Sequence, residues 1–137
     1  MKKTKKAGCI LMNIETKTIG LVYREQYDDY SFPKGHLEEG ETLKECAIRE
    51  TNEETKRACE ILKDDYIYLE EYKTPRGEEV EMYYFLAKDI GPSDNTSTDT
   101  HPTVWLTYDE VYDKLTYPSL KTVWNNVKIY VKEEFNK

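Results

Sequence analysis

Several absences bound this 137-residue sequence before any motif is considered. There is no C-x-x-C pair. Cys9, Cys46 and Cys59 are odd in number, so reduced thiols in a cytoplasmic protein are the simple expectation. There is no long apolar run. The basic start MKKTKK is followed only by Cys9 to Met12, too short for a signal-peptide core or a membrane span. There is no basic surplus either: 27 Asp and Glu against 20 Lys and Arg give a net charge of −7, which disfavours a broad duplex-binding face. His36 and His101 are the only histidines, and without cysteine partners they do not make a zinc site. Repeats and low-complexity tracts are missing too. What is present is a chain too aromatic and too well patterned for disorder, long enough to bury a core, and read as one domain over residues 1–137.

The patterning predicts a mixed α/β fold. AGCILMNI and TIGLVYR read as two strands joined by a turn near Glu15 to Lys17. In YDDYSFPKGHLEEGE, Pro33, Gly35 and Gly40 predict a loop with at most a short strand. TLKECAIRETNEET is the first helix, with Thr42 as N-cap and Glu45 closing a capping box. YIYLEEYKT and VEMYYFLAK, separated by PRGE, predict a hairpin. DIGPSDNTSTDTHP is a polar loop, VWL a short strand and YDEVYDKL a helix. In the final helix, Leu120, Val123, Trp124, Val127 and Val131 follow the i, i+3, i+4, i+7 rule and should face the core.

The first helix carries the chemistry. At 100° per residue, Leu43, Cys46, Ala47, Glu53 and Glu54 all fall within about 60° of Glu50. The glutamates thus share the stripe of the small apolar residues, where an unpaired charge is costly. A hard divalent cation would compensate them, since Mg²⁺ takes one or two carboxylates with water and phosphate oxygens. Arg49 lies four residues from both Glu45 and Glu53 and can hold a glutamate in position. The plainer alternative, a salt-laced surface helix, is common in chains this charged.

Wider spacing separates the two readings. GHLEEGETLKECAIRETNEE fits G-x5-E-x7-R-E-x2-E-E, with Gly35, Glu41, Arg49, Glu50, Glu53 and Glu54 at the fixed positions. This pattern resembles the Nudix box, and the preceding FPKG, the YYFLA strand and the VWLTYDEV step are also similar to that family. The resemblance implies a Nudix-like α/β/α sandwich with a mixed sheet and a loop-helix-loop catalytic motif. It implies hydrolysis, dependent on Mg²⁺ or Mn²⁺, of a nucleoside diphosphate linked to a further group. Carried over, Glu50, Glu53 and Glu54 with the Gly35 carbonyl would hold the metal. Glu50 or Glu53 would be the general base, Arg49 would orient a catalytic glutamate, and Glu41 would be a structural partner or peripheral contact.

The sequence departs from the family at Lys56 and Arg57, where Gly and an apolar residue are expected. A left-handed cap costs a non-Gly residue roughly 1–2 kcal/mol. The expectation is therefore that the helix continues a little further with catalysis intact. Members of the family often carry a late-loop carboxylate before a Trp. Here no Glu occurs between Glu81 and Glu110, and Asp99, six residues before Trp105, is the nearest match, with Asp94 second. Lys34 beside the box is a candidate phosphate contact and Tyr84 a candidate base-stacking residue, with Tyr83 and Tyr27 also weighed. Arg24, Lys73 and Arg76 read as ordinary solvated cations. FPKGHLEEGE looks most like the dinucleoside polyphosphate branch, so diadenosine tetraphosphate is the first substrate expectation. NTPs, oxidised ones included, are the enzymatic alternative, and a non-hydrolytic nucleotide-binding regulator is the non-enzymatic one.

Overall fold

The computed structural model describes residues 3–137. Strands β1 (Thr4–Asn13) and β2 (Thr18–Arg24) pair antiparallel through the expected turn. The predicted loop after them contains two short strands, β3 (Asp29–Ser31) against β2 and β4 (Lys34–His36) against β1. Helix α1 (Leu43–Thr55) follows, then β5 (Arg57–Ile61), β6 (Tyr68–Lys73) and β7 (Glu79–Pro92). β8 (Thr103–Thr107) pairs with β2, and a 3₁₀ turn (Tyr108–Glu110), α2 (Val111–Lys114) and α3 (Pro118–Phe135) close the chain.

The sheet is mixed, in the order β3-β2-β1-β7-β5, because β1 runs parallel to β7 while its other pairings are antiparallel. Alternation along β1 sends Ile10 and Met12 to one face and Cys9 and Leu11 to the other. The first face packs against Leu115 and the predicted stripe of α3, including Leu120, Trp124 and Val131. The second packs against Cys46 and Ala47 of α1. With helices on both faces, the fold is the α/β/α layer arrangement that the resemblance implies. The three cysteines are free and buried.

Three expectations are corrected. β5 was not foreseen: RACEI is short, its polar residues Arg57 and Glu60 break any period-two alternation, and it is a strand because β7 supplies its ladder. YDEVYDKL forms a 3₁₀ turn and one helical turn rather than a continuous helix. The first helix does not run on past Thr55. Lys56 is left-handed, with φ 57° and ψ 28°, and donates its N–H to Asn52 O at 2.9 Å. Tertiary ties offset the strain. The next residue, Arg57, is already in β5 with its guanidinium forked onto Asp89 at 2.8 and 2.7 Å. Only a sharp reversal at Lys56 allows that junction.

Candidate active site

Helix α1 is fixed at both ends by hydrogen bonds from capping side chains and from the backbone of the polar loop. At its start Glu45 N–H donates to Thr42 Oγ1 at 3.1 Å, and Thr42 N–H donates to Glu45 Oε1 at 2.9 Å. The box consumes Glu45, so Arg49 does not pair with it. Arg49 instead forks onto Glu41 at 2.6 and 2.9 Å, donates to Glu53 at 3.3 Å and to His36 O at 3.0 Å, and lies 3.5 Å from Glu50. Glu41 is thereby a structural partner, its carboxyl held below the ordinary range chiefly by Arg49.

At the other end, the last carbonyls of α1, which have no intrahelical donor, are met from outside. Thr100 Oγ1 donates to Glu53 O at 2.9 Å, His101 N–H to Glu54 O at 3.0 Å, and Thr103 Oγ1 to Thr55 O at 3.5 Å. Ser93 N–H donates to Lys56 O at 2.8 Å. The polar loop is thus sewn onto the glutamate helix, and this brings Asp99 and His101 to its side.

A cavity of about 310 Å³ opens there, lined by Glu50, Glu54, Gly35, Asp99 and the two histidines together with Lys6, Arg24 and Lys34. The absence of a side chain at Gly35 makes room for the Glu50 carboxylate, because a Cβ there would overlap it. Lys34 N–H donates to Glu54 Oε1 at 3.1 Å. Burial, followed by a hydrogen bond to Glu53, pushes the Glu50 carboxyl up to about 8 against the opposing pull of Arg49. Burial also raises Glu54, opposed by the charge and N–H of Lys34. Two half-buried carboxylates in one cavity with Gly35 offer hard oxygen donors and a surplus of negative charge, which fits a divalent cation. The arrangement differs from the expected four-donor set. Glu53 turns to Arg49 and does not line the cavity, and among the described residues no three His, Cys, Asp or Glu side chains are drawn together as metal ligands. Glu50, Glu54 and the Gly35 carbonyl are the groups that would hold the ion.

A second cavity of about 490 Å³ adjoins the first across the same three cations, Lys6, Arg24 and Lys34. Its walls include Glu70, Tyr72, Tyr84 and Tyr117. Lys34, expected from the sequence to touch substrate, lines both spaces, and burial lowers its ammonium from the ordinary value. Arg24 was read as a solvated cation, yet it stands at the junction, held by the fully buried Asp29, whose Oδ2 also accepts from Tyr117 Oη at 2.6 Å. Tyr84 is corrected as a stacking residue: it is fully buried, edge-on to Phe32 at 5.8 Å, with only its hydroxyl engaged, donating to Glu70 Oε1 at 3.2 Å. Tyr83 belongs to the opposite face, and Tyr27 lies under Arg24 outside both cavities. Lys6, Glu70, Tyr72 and Tyr117 went unnoticed in the sequence because no local spacing links them.

Comparison with known proteins agrees with this architecture. The NUDIX domain family model matches residues 2–126. An 8-oxo-(d)GTP phosphatase of Mycolicibacterium smegmatis is 32% identical over 108 residues, 79% of this chain and 33% of that protein, so the chain spans about a third of its relative's length. An Ap4A hydrolase of C. elegans superposes with a TM-score of 0.76 at 23% identity, covering 95% of this chain and 98% of the other. A NUDIX hydrolase from Nitrosomonas europaea gives 0.72 at 18% identity over 98% and 89%. At these identities the two structures share the fold. No helix among the described residues is long and apolar enough to cross a membrane.

Proposed function

The chain belongs to the Nudix family, and on that premise we propose that it hydrolyses phosphoric anhydride bonds and that its substrate is a nucleoside 5′-triphosphate, oxidised forms included. The observation that carries this reading is the shared wall of Lys6, Arg24 and Lys34, with carboxylates on one side and tyrosines on the other. A polyanionic chain laid across those cations has its nucleoside in the tyrosine-lined cavity and its phosphates against Glu50 and Glu54. Arg24 and Lys34 then bind and orient the phosphates, Arg24 as a fork and Lys34 as a point charge.

A bound divalent cation, Mg²⁺ or Mn²⁺, would neutralise phosphate oxygens and acidify water. The residues of this chain supply the rest. Glu50, the carboxylate that faces the cavity, takes the proton of the attacking water. Arg49 holds Glu50 and its neighbour Glu53 in place from behind.

The sequence ranked dinucleoside polyphosphates first. Triphosphates now lead because a tyrosine-lined cavity of about 490 Å³ adjoins the carboxylates across the three cations, which gives one nucleoside a place beside its phosphates. The 32% identical relative, named for an oxidised guanine nucleotide, supports the same order. The test is turnover with Mg²⁺ of NTPs, 8-oxo-dGTP and diadenosine tetraphosphate, each assayed again with EDTA. Metal-dependent release of nucleoside monophosphate or diphosphate from triphosphates is expected. A clear preference for diadenosine tetraphosphate would restore the other order, and turnover of none of the three would overturn the reading.

A further inference from the structure

Residues Tyr68, Glu70 and Tyr72 alternate onto one face of β6, and both tyrosines pack against the α3-side core. Glu70 is thus a half-buried carboxylate in a row of aromatic side chains, a position that is costly unless its oxygens are bonded. Tyr84 Oη donates to Oε1 at 3.2 Å, and Oε2 takes no hydrogen bond from any described residue. Glu70 lines the nucleoside cavity, in the field of Lys6 and Lys34.

We propose that Glu70 is the specificity-determining residue of this cavity and selects a base whose edge carries two adjacent N–H donors. An ionised carboxylate only accepts. Of the common bases, guanine alone places a ring N–H beside an exocyclic amino group, so both oxygens of Glu70 can accept from it. Adenine sets an acceptor next to its amino group and leaves one oxygen facing a lone pair. Tyr84 matters through Glu70: from the sheet side it fixes the carboxylate rotamer, while Tyr117 and Tyr72 border the space that the base occupies. Oxidation of guanine at C8 leaves this edge unchanged, so 8-oxoguanine is read in the same way. The inference rests on the proposed nucleoside cavity, and it names the base that the cavity takes.

Titration calorimetry with GMP and AMP tests it apart from turnover, on the unmodified protein, Glu70→Gln and Glu70→Ala, with thermal melts to verify folding. The unmodified protein should bind GMP about tenfold more tightly than AMP, the scale of one bidentate base contact. Glu70→Gln, which can donate to adenine N1 while accepting from its amino group, should abolish or invert that ratio. Glu70→Ala should weaken GMP and leave AMP nearly unchanged. Equal affinities in the unmodified protein, or a guanine preference that survives both variants, overturns the inference even if metal-dependent hydrolysis is found. A guanine preference lost in Glu70→Gln supports it even in a protein that hydrolyses nothing, an outcome that would instead sink the triphosphatase reading.

Discussion

His101 donates its backbone N–H to the carbonyl oxygen of Glu54 at 3.0 Å, so a residue of the polar loop closes the last turn of the helix that carries the glutamates. The loop therefore does structural work for α1, and α1 in turn fixes where Asp99 and His101 stand. Replacing Thr100, whose hydroxyl donates to Glu53 O at 2.9 Å, tests this coupling. Thr100→Val should cost about 1 kcal/mol in urea unfolding. It should also lower turnover severalfold, because the Asp99 wall of the cavity loosens. Unaltered turnover would separate the loop from the site.

Gly35→Ala isolates the close approach of backbone and carboxylate. The Gly35 backbone lies in β4 opposite Ala7 and tolerates a side chain, but the added methyl occupies the place of the Glu50 carboxylate. Melting temperature should change little, since the displaced group is the end of a flexible chain. Turnover should fall on the order of a hundredfold, the usual consequence of displacing a reacting group by an ångström.

Lys56→Gly should do the opposite. Removing the Cβ relieves a left-handed φ of 57°, offset in part by the greater freedom of glycine in the unfolded chain. A gain of about 1 kcal/mol is expected by chemical denaturation, with kcat and KM unchanged because Lys56 lines neither cavity. Destabilisation would mean that the lysine side chain contributes more than its backbone costs.

Asp29 gives a pH-dependent signature. Its carboxyl is held below the ordinary value first by Arg24, and by the Tyr117 hydroxyl against the cost of burial. A depressed carboxyl stabilises the folded state above the unfolded value of about 4 and loses that contribution as pH falls through the folded value. Asp29→Asn should therefore be less stable by about 2 kcal/mol at pH 7, below the full penalty of a buried unpaired charge because Arg24 is partly solvated. The gap should shrink below about pH 4, as seen in thermal melts of both proteins across pH 2–7. A gap independent of pH would show that packing, not charge, accounts for it.

Features encoded by local spacing were legible in the sequence. The capping box at Thr42 and Glu45, the apolar stripe from Leu120 to Val131 and the β6–β7 hairpin all appear as expected. Strand alternation puts Tyr83 and Tyr84 on opposite faces, and the sheet buries both rings in separate clusters, which the tyrosine-rich run does not announce. Lys56 adopts the strained cap because Arg57, 32 residues from Asp89 in sequence, is tied to it across the sheet. The second cavity draws Lys6, Arg24, Glu70 and Tyr117 from four distant segments, so no motif announces it. Glu70 alone left a trace, a charge in the alternating register of a strand whose neighbours are tyrosines.

The most direct test of the whole account is the Mg²⁺-dependent turnover of 8-oxo-dGTP and GTP by the unmodified protein beside Glu50→Gln and Glu54→Gln, each verified as folded by its melting profile. The account predicts turnover that requires the divalent ion and falls at least a hundredfold in both variants, which remove charge from the cavity wall without changing its shape. Turnover that persists in EDTA, or that either variant retains at the unmodified rate, would contradict it.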